Sequence, residues 1–220
     1  MKTYNAFIFD MNGTIIDDMP FQTQAWVKML ADQGKIVSED EFALSHYGKT
    51  NGETLREVWG RDLPEAQITA LSLEKEKAYQ KIYEPHLAPI AGFRSFLQAA
   101  VASGQKVVLA TSAIRFSIDF VLKGLGLEEE ITAVVGAEDI QHSKPHPEIF
   151  LKAAQLVGAA PEACLVFEDS LSGLEAARRA HMDAYAILTT FTEAEVPTFP
   201  NIVGAAPDYT TIPRALFRTA

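Results

Sequence analysis

The sequence predicts an α/β protein: a doubly wound, Rossmann-like parallel sheet with a small all-helical domain inserted after the first strand. Three observations lead there. An apolar run around Phe7-Ile8-Phe9 stops abruptly at Asp10, with Gly13 close behind; residues from about Asp17 to Glu84 show helical periodicity and no strand signal; and from Pro89 onward helix and strand patterns alternate.

Size and composition suit that reading. The chain has 220 residues, of which 48% are apolar, enough for a substantial core and too many for a disordered chain. A net charge of -10 argues against nucleic acid or an anionic membrane surface as a partner. An acidic protein that handles anions must therefore concentrate positive charge locally. The single cysteine, Cys164, lies in the apolar run Ala163-Cys164-Leu165-Val166-Phe167 and reads as a buried thiol rather than a nucleophile. With no signal-peptide pattern and no membrane-length apolar span, the expectation is a cytoplasmic protein, a monomer or weak dimer acting on a small molecule.

Taken in order, Tyr4 to Phe9 reads as a buried parallel strand. Pro20 opens a helix on which Phe21, Ala25 and Met29 share a face with Trp26 and Leu30, and Gly34 ends it. Ser38 with Glu41, and Thr50 with Glu53, have capping-box spacing and each opens a short helix. Pro64 opens a long helix ending near Pro85, with Ile68, Leu71, Ala78 and Ile82 as its apolar face. The run Glu74-Lys75-Glu76-Lys77 reads as a solvated face of ion pairs. Helices are then expected at Gly92 to Ser103, Phe116 to Lys123, Pro147 to Val157 and Gly173 to Arg179. Strands are expected at Lys106 to Ala110, Ala133 to Val135, Leu165 to Phe167 and Ala184 to Leu188. The tail after Thr192, with Pro197, Pro200 and Pro207, reads as mostly loop.

Four strand ends carry polar residues: Asp10, Asn12 and Thr14; Thr111 and Ser112; Ser143, Lys144 and Pro145; and Glu168, Asp169 and Ser170. In a parallel sheet these ends share one edge, so residues remote in sequence converge where open α/β sheets bind ligands. The residue types suit phosphoryl transfer. Asp10, Asp169 and a backbone carbonyl can hold Mg²⁺. A lysine and a hydroxyl neutralise phosphate oxygens, and Asp10 can serve as nucleophile.

On these four motifs the chain resembles the haloacid dehalogenase superfamily, most closely its beta-phosphoglucomutase-like phosphatase branch. Asp10-Met11-Asn12-Gly13-Thr14 looks like the first motif, Thr111-Ser112 the second, Lys144-Pro145 the third and Glu168-Asp169-Ser170 the fourth. The helical stretch resembles that branch's cap, which divides the chain into a core of residues 1–16 plus 87–220 and a cap of residues 17–86. The resemblance implies an Mg²⁺-dependent phosphatase of small phosphorylated metabolites, with Asp10 as nucleophile. It implies Mg²⁺ ligands from Asp10, the Asn12 carbonyl and Asp169, with Glu168 as ligand or outer partner. Thr111 and Lys144 would hold the transferring group, and Gln22, Lys49, Asn51, Ser112 and Arg115 are candidates for substrate contact.

Two departures matter. The family's usual acid/base Asp is Asn12, whose amide donates a hydrogen bond but cannot shuttle a proton. Losing that help costs about 10²–10⁴ in rate, so a good leaving group or a substitute donor is needed. A weakly active or non-catalytic phosphometabolite-binding relative is the alternative that Asn12 raises. Asn12-Gly13 also lacks a bulky neighbour, a setting for deamidation to Asp. In the cap, Gln22 stands where the family's mutases often have His, and Asn51 where they have an Arg that grips a second phosphate. Lys49 and Arg115 are the remaining anion contacts, and Lys lacks the bidentate fork of Arg, which weakens the mutase reading. A dehalogenase fits poorly because Glu168-Asp169 implies a metal. Gly48-Lys49-Thr50 lacks the glycine of a P-loop, Gly124-Leu125-Gly126 reads as a helix C-cap, and the histidines read as structural rather than as a zinc site.

Overall fold

The computed structural model describes residues 2–40, 42, 48–60 and 63–217. Strands β1 (Ala6–Phe9), β2 (Lys106–Ala110), β3 (Ala133–Val135), β4 (Cys164–Glu168), β5 (Asp183–Ile187) and β6 (Ile202–Ala206) form one parallel sheet in the order β3-β2-β1-β4-β5-β6. The order reverses between β1 and β4, which pair from Ala6 opposite Cys164 to Phe9 opposite Phe167. That reversal opens the ligand crevice of a doubly wound fold.

The two faces of the sheet follow the alternation along each strand. One carries large rings: Phe7, Phe9 and Phe167 are buried, and Phe9 stacks on Phe167 with ring centroids 4.6 Å apart. It packs against α4 (Phe93–Ala102) and α5 (Arg115–Leu125). The other face carries smaller groups, among them Ala6, Ala110, Cys164 and Ala184, and packs against α6 (Glu148–Leu156) and α7 (Leu171–Arg179). Cys164 is fully buried, and burial pushes its thiol up to about 11, as an inert core residue requires.

Between β1 and the rest of the sheet lie α1 (Met19–Asp32), α2 (Asn51–Trp59) and α3 (Glu65–Tyr83). They share an apolar cluster of their own, centred on Trp26, Leu30, Leu55 and Leu71. The Thr50/Glu53 capping box is formed as the spacing predicts. The chain leaves and re-enters the sheet at one place, because Ile16 bridges to Pro89 and the Ile90 N–H donates to Ile15 O at 2.8 Å.

Three readings need comment. The Ser38/Glu41 capping box lies partly outside the described residues. The tail is not all loop: Ile202 to Ala206 is the sheet's sixth strand, stabilised by pairing with β5 across an irregularity at Ala184/Tyr185. And the run Glu74 to Lys77 is not a uniformly solvated face, since Lys75 and Glu76 are each 2% exposed. Among the described residues no helix is long and apolar enough to cross a membrane.

Candidate active site

A cavity of about 90 Å³ lies between the strand ends and the helical segment, and residues of all four motifs line it. β1 and β4 place the acidic centre. The Asp10 N–H donates to Phe167 O at 3.0 Å, continuing the ladder one step past β1 and setting Asp10 beside Glu168 and Asp169. Lys144 is buried with them. Its ammonium donates to Asp10 Oδ1 at 2.5 Å and Glu168 Oε2 at 2.7 Å. The other Glu168 oxygen accepts from the Ser170 hydroxyl at 2.7 Å and from the Ser170 N–H at 3.0 Å. Ser170 also caps α7, accepting from Gly173 N at 3.0 Å.

Two glycines permit this packing. Gly13 has φ +74°, and a Cβ there would fall 2.1 Å from Asp169 Oδ2. A Cβ on Gly173 would lie 2.0 Å from the Glu168 carboxyl carbon.

Three carboxylates share one lysine, and their proton affinities show the imbalance. Burial pushes Asp10 up to about 7; Lys144 opposes the shift and Glu168 adds to it. Burial, then Glu168 and Asp10, raise Asp169 well above the carboxylate range. Burial disfavours charged Lys144, but Asp10 and Glu168 together outweigh it and raise its proton affinity. The centre is thus short of positive charge. Oxygens from Asp10, Glu168 and Asp169 lie within 4.8 Å of one another. A hard divalent cation that keeps some of its water fits this all-oxygen set.

The other predicted residues divide. Thr111 and Ser112 line the cavity; the Thr111 hydroxyl accepts from Ala113 N at 3.2 Å and Ser112 donates to Gly48 O at 3.1 Å. Gln22, Lys49 and Asn51 line it from the helical segment. Lys49 is turned to Glu57, 2.5 Å away, and Asn51 donates to Glu76 Oε1 at 2.9 Å. Arg115 does not line the cavity: its side chain is 44% exposed and its guanidinium is paired with Asp139 at 2.9 Å. The rings of His142 and His146 lie outside the cavity, tilted to each other by 34° with centroids 4.5 Å apart. Although Glu148 joins them, its oxygens are taken by the N–H groups of Gln141 and His142 and by Lys152, so it braces the loop.

Asn12 has its amide fixed. Nδ2 donates to Asp18 Oδ2 at 2.6 Å, an oxygen that also accepts from Tyr79 at 2.6 Å and Gln22 at 3.0 Å. The Gly13 N–H donates to Ile16 O at 2.7 Å, so both groups needed for deamidation are engaged in the folded chain. Sequence reasoning missed Asp18, Lys75, Glu76 and Tyr79. The Asp17-Asp18 doublet at a helix start was the only local signal, and it reads equally as a cap.

Comparisons with known proteins follow the same lines. The model of the haloacid dehalogenase-like hydrolases matches residues 4–181. A fructose-1-phosphate phosphatase of Escherichia coli is 30% identical over 83% of this chain and 96% of its own. A phosphorylated carbohydrates phosphatase of Thermotoga maritima is 31% identical over 81% of this chain and 82% of its own. The crystal structure of a beta-phosphoglucomutase from Clostridium difficile has the same fold, with a TM-score of 0.80 at 23% identity, covering 97% of this chain and 95% of that one.

Proposed function

The chain belongs to the haloacid dehalogenase-like hydrolases, and from that premise we propose that it is an Mg²⁺-dependent phosphatase of small phosphorylated metabolites such as sugar phosphates, working through an aspartyl phosphate on Asp10. The observation that carries the reading is the position of Asp10: at the sheet's switch point, lining the cavity, beside Lys144 and two further carboxylates. The relatives named as phosphatases of phosphorylated sugars support the substrate class.

Asp10, the Asn12 carbonyl and Asp169 would hold the ion, with Glu168 outside them, already engaged by Lys144 and Ser170. Bound there, Mg²⁺ supplies charge stabilisation for the transferring group. The chain's own residues do the rest. An Asp10 oxygen attacks phosphorus as the ester P–O bond breaks, and the departing alkoxide takes a proton from water, since Asn12 has none to give. Water then attacks the phosphorus of the acyl phosphate, freeing Asp10 and inorganic phosphate. Lys144 and Thr111 bind the phosphate oxygens through both steps. Residues 17–86 act as a cap that excludes bulk water and selects the leaving group.

The test is turnover of a phosphomonoester panel with Mg²⁺, alongside mass detection of the phosphoenzyme. Asp10→Asn abolishes both signals; residual turnover above a few per cent contradicts the nucleophile assignment. Asn12 favours one second reading, a module that binds phosphorylated ligands without turnover. Wild-type protein inert on the whole panel yet saturable by fluoroberyllate would establish it.

A further inference from the structure

The wall opposite Asp10 holds a second buried ion pair that the phosphoryl chemistry does not use. Lys75 and Glu76, adjacent on α3, both line the cavity. The Lys75 ammonium donates to Glu76 Oε1 at 2.9 Å and to the Gln22 side-chain oxygen, and stands 5.2 Å from the centre of the Trp26 ring. Glu76 accepts in turn from Asn51 at 2.9 Å and from the Ser117 hydroxyl at 2.6 Å. A lone buried lysine here would be an anion receptor facing the phosphoryl site. With Glu76 against it, and with Lys49 paired to Glu57, each described cation of the helical segment lining the cavity has its own carboxylate.

Resting on the phosphatase reading, we propose that Glu76 is a specificity-determining residue: by neutralising Lys75 it makes the cap wall accept an uncharged polyhydroxy leaving group and reject one bearing a second phosphate. The neutral wall that remains is Gln22, Asn51 and the Trp26 ring, groups that bind hydroxyls and stack on sugar faces. A second phosphate would be set beside the Glu76 carboxylate, a like-charge contact of the kind that discriminates between ligands.

The experiment compares kcat/KM for fructose 1-phosphate against fructose 1,6-bisphosphate, and glucose 1-phosphate against glucose 1,6-bisphosphate, in three proteins. Wild type prefers the monophosphate by about tenfold or more. Glu76→Gln keeps the shape but unmasks Lys75, and the preference falls by about tenfold, chiefly through a lower KM for the bisphosphate. Lys75→Met combined with Glu76→Gln removes both charges and restores a preference for the monophosphate over that of Glu76→Gln. A purely structural Glu76 would lower both substrates together and leave their ratio unchanged, which overturns the proposal, as does a wild type that prefers the bisphosphate. If Glu76→Gln does not fold, the wild-type ratio still decides. If neither sugar phosphate is hydrolysed, these two hexoses fall as substrates while the phosphomonoester panel still decides the phosphatase reading, and calorimetric binding of the same pairs decides the charge discrimination separately.

Discussion

Replacing Asn12 by Asp tests the chemistry at the point where this chain departs from its family. The half-buried Asn12 amide donates to Oδ2 of the fully buried Asp18 at 2.6 Å. Burial raises the Asp18 carboxyl above its usual range even though Tyr79, Gln22 and Asn12 all donate to it. An Asp at position 12 turns that donor into a second carboxylate in contact with the first. Two unit charges about 4 Å apart repel by about 4 kcal/mol at an effective dielectric of about 20. The pair therefore keeps one proton, shared between its members. That proton is what a leaving alkoxide lacks in the wild type, and a positioned acid contributes about 10²–10⁴ in rate, or about 3–5 kcal/mol. The assay is kcat for a sugar phosphate and for p-nitrophenyl phosphate from about pH 5 to about pH 9, a span above the ordinary carboxyl range in which a carboxyl pair raised by burial and mutual repulsion titrates. The gain is expected on the sugar phosphate and small on p-nitrophenyl phosphate, whose leaving group departs unprotonated. It fades as pH rises through the pair's apparent pKa. The variant also loses stability in that direction, by about 1.5–3 kcal/mol, because its proton affinity is raised in the folded state. A folded variant with no gain on either substrate, or an equal gain on both, refutes residue 12 as the site of leaving-group protonation.

Other outcomes follow from the same geometry. Lys144→Met leaves Asp10 and Glu168 facing each other without their cation and costs about 3–5 kcal/mol in denaturant unfolding of the metal-free protein near neutral pH; a loss below about 1 kcal/mol, the size of an exposed pair, would mean water already solvates the cluster. Gly173→Ala sits in a helix, where alanine normally gains about 0.5–1 kcal/mol, yet its Cβ would fall 2.0 Å from the Glu168 carboxyl carbon, and overpacking at about 1–3 kcal/mol wins. A higher melting temperature for that variant would contradict the tight seat of Glu168. Burial alone would raise Glu76, but Lys75, Asn51 and Ser117 hold it below its ordinary 4.5. Its ionised form therefore adds stability above about pH 4.5 that is lost as pH falls through the folded value, so the wild-type advantage over Glu76→Gln in unfolding free energy shrinks on acidification. A pH-independent difference would show that Glu76 does not titrate with folding.

What the sequence determined by itself is the sheet and its acidic rim. Apolar runs broken at Asp10, Thr111 and Glu168 mark strand ends, and right-handed crossovers in a parallel sheet leave those ends no other edge to share. The Thr50/Glu53 box was legible for the same reason, since its partners are three residues apart. Tertiary structure decided everything that depends on a distant partner. Lys75 meets Gln22 across 53 residues and Glu76 meets Ser117 across 41, so a run that local pattern assigns to water closes a cavity instead. Arg115, a candidate by proximity to a motif, turns outward to Asp139, and β6 becomes a strand only because β5 offers it an edge. Periodicity along a helix reports which side is apolar; whether a charge on the other side meets solvent or a buried counter-charge is set by chain that arrives from elsewhere.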